Sequence, residues 1–143
     1  MAITQTLTDT FKQDCLDGAH NLGNGGDTLK IALYTSSASL GATTSAYTTS
    51  NEVSGTGYTA GGATLSSQAV AYDATNQVAF FDAADPAFTT ATITARGALI
   101  YNNSKSNASI AVLDFGSDFT STAGTFTIQL PSAAHNTAII RIS

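Results

Sequence analysis

The stretch "TFTIQL" (125–130) alternates without a break. Phe126, Ile128 and Leu130 point one way, and Thr125, Thr127 and Gln129 the other. A period of two is what a β-strand imposes when one face is buried and the other wet. The period recurs elsewhere in the chain. In "TLKIALYT", Leu29, Ile31 and Leu33 share one face, and Lys30, Ala32 and Tyr34 the other. In "TITARGALIYN" (92–102) the expected common face is Ile93, Ala95, Gly97, Leu99 and Tyr101. "ATLSSQAVAY" (63–72), "QVAFFD" (77–82), "ASIAVLDFG" (108–116) and "TAIIRIS" (137–143) read as further strands. "DATN" (73–76) makes 63–82 a hairpin, and "NNSKSN" (102–107) joins 92–102 to 108–116. Links this short cannot make a parallel crossover, so the pairing is antiparallel. About seven such strands predict an all-β fold, an antiparallel β-sandwich spanning about 28–143.

One segment departs from that period. Leu7, Phe11 and Cys15 recur at i, i+4 and i+8, which predicts a short N-terminal α-helix over about 7–17. Thr8 or Asp9 caps its start and Gly18 ends it. A helix below about 12–15 residues is marginal alone in water, so its stripe has to pack on something. That is either the chain's own sandwich or a neighbouring subunit, and Phe11 at mid-stripe is the interface candidate. "NLGNGGD" (21–27) and "SSASLGATTSAYTTSN" (36–51) read as loops. No linker or internal repeat divides the 143 residues, so they read as a single domain, 1–143, long enough for one core without staples.

Only 10% of residues are charged, against about 25% in ordinary globular domains. Ser, Thr, Asn and Gly supply the polarity instead. Five Lys and Arg are scattered and the formal net charge is −5, so no basic patch exists to meet nucleic acid. No apolar run reaches the ~20 residues of a membrane span. "MAITQTLTDTFK" has no basic region followed by an apolar run, so no signal peptide is read. A surface this poor in charge fits a protein covered by neighbours, because desolvating charges at an interface core is costly. It fits a Thr-rich secreted β domain equally well.

The glycines in "NEVSGTGYTAGG" (51–62) pose a direct question about chemistry. A dinucleotide loop needs a buried strand before it and a helix after it, whose N-terminus holds the pyrophosphate. Here the preceding residues are too polar and the following ones have β patterning. No Lys follows, so a P-loop is excluded. Gly55 and Gly57 therefore read as a tight bend or bulge entering the next strand.

The same stretch carries another signal. A strand ending in A-L-Y-T (Ala32–Thr35) is followed by N-E-V-x-G-x-G-Y (Asn51–Tyr58). T-I-T-x-x-G (within Thr92–Leu99) and A-V-x-D-F-G (Ala111–Gly116) come next. This order resembles a group of small proteins encoded by tailed bacteriophages, the tail-fibre or minor structural virion proteins. The likeness covers nearly the whole chain beyond the helix. Where that group often has Arg-Gln after the tyrosine, this chain has Ala60-Gly61. The resemblance implies a virion component assembled in the host cytoplasm, with other virion proteins as partners.

Other constellations carry weaker chemistry. Asp114-Phe115-Gly116 matches a kinase magnesium motif, but the other kinase parts are missing, so it reads as a strand end and turn. Asp73, Asp82 and Asp85 offer oxygen ligands for calcium without a D-x-D-x-D-G series, and Asp-Pro is an ordinary turn starter. No metal or cofactor is expected. Cys15 and His20 are a nucleophile–base pair on paper, yet Cys15 lies on the apolar stripe, where thiols are inert. Asn102-Asn103-Ser104 and Asn107-Ala108-Ser109 match the glycosylation pattern and read as turns. Tyr47 and Tyr58, beside the glycine loop, are candidate exposed rings for a glycan. The expected function is a non-enzymatic accessory subunit, a homo-oligomer, attached to the tail (fibre base or adhesin) or decorating the capsid. The alternative is a carbohydrate-binding module for a host-surface glycan.

Overall fold

The computed structural model describes residues 2–143. The chain forms two antiparallel sheets and one helix, an all-β, sandwich-like arrangement. In chain order the elements are β1 (Thr6–Leu7), α1 (Asp9–Asp17), β2 (Leu29–Tyr34), β3 (Ala63–Thr64), β4 (Ala69–Asp73), β5 (Val78–Asp82), β6 (Ala87–Asn102), β7 (Ala108–Thr127) and β8 (Ile140–Ile142). The larger sheet has the order β1-β7-β6-β2-β3, and the smaller β4-β5-β8.

The main core lies between the two sheets and under the helix. It joins Leu29, Ile31 and Leu33 of β2 and Ile93, Ala95 and Ile100 of β6 to Phe81 of β5, Ile140 of β8 and Phe11 of α1. Each aliphatic side chain buried completely there contributes about 1.5–3 kcal/mol. The opposite face of β2 is buried too. Ala32 and Tyr34 pack with Leu99, Tyr101 and Val112 beneath Ile3, Ala38 and Leu40. The N-terminal segment and the 36–51 loop thus form a lid, joined to each other by the parallel bridge Ile3–Leu40.

The helix follows its sequence signals but starts later than its stripe. Thr8 is the N-cap, accepting from the Phe11 N–H, and Gly18 closes the C-terminus at φ +69°. Leu7 belongs to β1 and pairs with Ala111. Thr8 is fully buried: its hydroxyl accepts from Ser109 Oγ at 2.9 Å, and its N–H donates to Ile110 O. The cap therefore anchors the helix to β7. Phe11 is 1% exposed and packs in the chain's own core.

Three sequence expectations change. The stretch 63–82 is not one hairpin. Ala63–Thr64 pairs with β2 in the larger sheet, while 69–73 crosses to the smaller one and pairs with β5. The segments expected at 108–116 and 125–130 are largely one strand, β7, while Thr6–Leu7 adds β1 and 63–72 divides into β3 and β4, so the expected count of about seven becomes eight among the described residues. The common face expected on β6 also breaks. Between the pairs Ala95–Phe119 and Gly97–Asp114, β6 advances two residues while β7 advances five. An odd slip reverses the faces. Ile93 and Ala95 stay with the main core, and Leu99 and Tyr101 turn to the lid side.

Candidate functional site

Two kinds of feature compete for function: polar clusters, and apolar surfaces left open. The most connected polar cluster is built on Glu52, the only glutamate in the chain. Residues 47–62 fold back over the lid-side edge of β2, where Glu52 bridges to Tyr34. Tyr47 Oη donates to Glu52 Oε2 at 2.8 Å, and Tyr58 Oη to Oε1 at 2.7 Å. The Gly61 N–H also donates to Oε1, at 2.7 Å. Tyr58 Oη in turn accepts from the Leu33 N–H at 2.9 Å, capping a strand amide that β3 is too short to reach. Tyr101 donates to Gly61 O and Tyr34 to Thr48 O. The Tyr47 and Tyr101 rings stack at 4.7 Å.

These contacts set the electrostatics. Burial, then the hydrogen bond to Glu52, pushes the Tyr47 hydroxyl up to about 12. The same two causes raise Tyr58 further, and burial raises Tyr34. Tyr47 and Tyr58 are thus half-buried, and their hydroxyls are committed to a carboxylate. They are not the exposed rings that the sequence led us to expect. Sequence reasoning missed Glu52. Its one legible signal was its solitude within "NEVSGTGY".

The glycine loop is explained by close approach. A Cβ on Gly57, at φ +82°, would lie 2.6 Å from Ala91 Cα and 2.7 Å from Thr90 O. The loop is strapped onto a bulge of β6 where Thr90 itself has φ +49°, and the Thr92 N–H donates to Thr56 O. No helix follows it, since β3 and β4 do.

The remaining sequence candidates separate. Asp114 lies inside β7, not at a strand end. It accepts from Arg96 Nε at 3.1 Å and from the Gly116 N–H at the bulge. Asp73 caps the β4–β5 turn through Thr75 and Asn76, and Asp85 accepts from the Leu130 N–H. Among the described residues, no three acidic, histidine or cysteine side chains converge as a metal site would require. His20 spends both ring nitrogens on Asp14 and Asn102, and burial, then Asp14, raises the Cys15 thiol, so the two do not form a nucleophile–base pair. Asn102 is fully buried rather than a surface turn residue.

Two surfaces among the described residues leave apolar side chains open. β1 pairs with β7 only at Ala111 and Val112, and Ala46 bridges to Ala108 at the strand's start; among the described residues no strand pairs with the outer edge of β7 beyond Val112, where the Asp114 N–H donates to Gln5 Oε1. Beside it runs an open groove of about 790 Å3 with a mixed lining, Phe115, Phe119, Phe126 and Leu130 together with Asp114, Thr125, Gln129 and Arg141. Phe119 is 51% exposed there. The second surface belongs to the smaller sheet. Val70 and Tyr72 are paired with Phe81 and Ala79, and Ile142 with Ala79, so all share the face that carries Phe81 into the core. Yet Val70 is 55%, Tyr72 64% and Ile142 58% exposed. The smaller sheet overhangs the core it helps to cover. No helix is long and apolar enough to cross a membrane among the described residues.

The chain matches no protein-family model, no curated protein and no solved structure.

Proposed function

We propose that this protein is a non-enzymatic structural subunit of a tailed-phage virion, a small accessory protein attached to the tail or decorating the capsid. The observation that carries the reading is the pair of open apolar surfaces, the groove along the free β7 edge and the overhanging face of β4-β5-β8. A free strand edge beside aromatic side chains is a template for pairing with another chain. Exposed apolar area of this kind marks interaction surfaces. The polar clusters support the same reading, because Glu52, His20 and Asp114 are engaged by the chain's own groups. The resemblance of "NEVSGTGY" and "AVLDFG" to the phage group adds the virion context. The glycan alternative has less behind it, since its two tyrosines serve Glu52.

The test is incorporation into particles. Wild-type chain supplied during phage assembly should be retained on purified virions, located by electron microscopy at sites of defined symmetry. Phe119→Asp should lower that retention while leaving the far-ultraviolet circular dichroism unchanged. A chain that stays off particles and is strictly monomeric at micromolar concentration would refute the proposal.

A further inference from the structure

Beyond any role in a particle, we propose that His20 is a proton-operated latch that ties residues 19–28 to strand β6 through Asn102. The His20 side chain is 2% exposed and packs against the Phe11 ring at 5.3 Å. Its Nε2 lies 3.2 Å from Asp14 Oδ2, and its Nδ1 lies 2.9 Å from Asn102 Nδ2. Asn102 Nδ2 also donates to Asp27 Oδ2 at 2.8 Å, and Asn102 Oδ1 accepts from the Ser104 N–H at 2.9 Å.

These contacts admit one wiring. The Asp27 carboxylate only accepts and the Ser104 N–H only donates, so the Asn102 amide has a single orientation. Its second N–H then points at His20 Nδ1, which has to accept. The proton of the neutral ring is therefore assigned to Nε2 and is donated to Asp14. A proton added at Nδ1 sets two donors against each other. Turning the Asn102 amide over cures that contact but opposes oxygen to oxygen at Asp27 and donor to donor at Ser104.

Two carboxylates face the ring. Asp14 faces it from α1, with the Cys15 thiol beside that carboxylate, and Asp27 faces it from the 19–28 segment. The Asn21 N–H, then the Asn102 amide and Lys105, keep the Asp27 carboxyl below the usual carboxylate range, so it remains an anion. With Asp14 on one ring nitrogen, the contact that a second ring proton breaks is the one to Asn102. Gln68 holds the far side of the segment through Leu22 O, Gly23 O and Asp27 O. At the β6 side, Thr28 stays tied through its N–H to Ser104 Oγ at 2.8 Å and by the Asn103 N–H donated to Thr28 O at 2.9 Å, so release is confined to the His20–Asn102 contact and the residues next to it.

Nuclear magnetic resonance of the full chain, labelled with nitrogen-15, tests this between about pH 8 and pH 5, the range in which histidine changes charge. At the upper end His20 should show the Nε2–H tautomer. On acidification the Asn102 side-chain NH2 and the Ser104 and Asn21 amide signals should move with the midpoint of the His20 ring. Their exchange protection, corrected for intrinsic rates, should fall by about tenfold, as loss of one buried hydrogen bond implies. His135→Gln should keep the response and His20→Gln should lose it. If His20→Gln does not fold, the wild-type titration decides alone. An Nδ1–H tautomer, a ring that charges while the Asn102 network stays unmoved, or a ring that stays neutral until the whole chain unfolds would each overturn the latch.

Discussion

Tyr58 does more for this fold than its ring area accounts for. Its hydroxyl donates to Glu52 and accepts from the Leu33 amide, so it links a lone carboxylate to the edge of the central strand. Tyr58→Phe should cost about 1–3 kcal/mol, because a partly buried N–H and a carboxylate oxygen both lose a partner. Urea denaturation measures this, and an unchanged midpoint would count against the clamp. The same cluster predicts an alkaline limit. A hydroxyl whose value is raised by folding stabilises the fold fully below its unfolded value, near 10, and the contribution is lost as pH rises through about 12 for Tyr47. Thermal melts should therefore fall between those limits, in step with tyrosinate absorbance. Glu52→Gln should blunt the effect, because it removes the charge that opposes ionisation.

At the scale of elements, the glycine loop and the helix make opposite kinds of demand. Gly57 has positive φ and no room for a Cβ against Ala91 and Thr90, both backbone contacts that cannot swing away. Gly57→Val should destabilise by at least about 1–3 kcal/mol, since strain and overlap act together. Calorimetric titration with ATP or NAD should show no saturable heat, and saturable binding would restore a phosphate-loop reading. The helix demands burial instead. Phe11 lies among core residues of both sheets, so Phe11→Asp puts a charge where no partner waits. We expect loss of the cooperative thermal transition. A folded variant that merely fails to join particles would make the helix a docking element after all.

At the scale of the molecule, the two sheets are unequal, and that inequality leaves apolar area uncovered. The five-stranded sheet is buried on both faces along β2, while the three-stranded sheet projects Val70, Tyr72 and Ile142 into solvent. We expect the purified chain to self-associate at micromolar concentration, read by light scattering. Tyr72→Lys should weaken that association without lowering the melting temperature, since the side chain is 64% exposed. Symmetry would multiply weak contacts of this kind in a particle. A wild-type chain that stays strictly monomeric would remove the overhang from the argument.

Much of the local architecture was legible in the residues themselves, because period, capping and turn chemistry are short-range. The alternation of "TFTIQL" placed Phe126 and Ile128 inward, and Thr8 and Gly18 marked the helix ends. Leu29, Ile31 and Leu33 were separable from Ala32 and Tyr34 by parity alone. What parity could not reveal is where it reverses. The slip between Ala95 and Gly97 depends on how many residues β7 offers opposite β6, which is a property of the pair and not of either strand. The division of 63–82 between two sheets is of the same kind, since residues 65–68 carry the crossing and both ends read as strand. The Glu52 clamp joins Tyr47, Tyr58 and Gly61 through a loop whose path only packing determines, and Asn102 meets His20 across 82 positions of chain. Strand identity follows from the backbone's period of two. Which hydroxyl meets which carboxylate follows from long-range closure, and only the tertiary structure decided it.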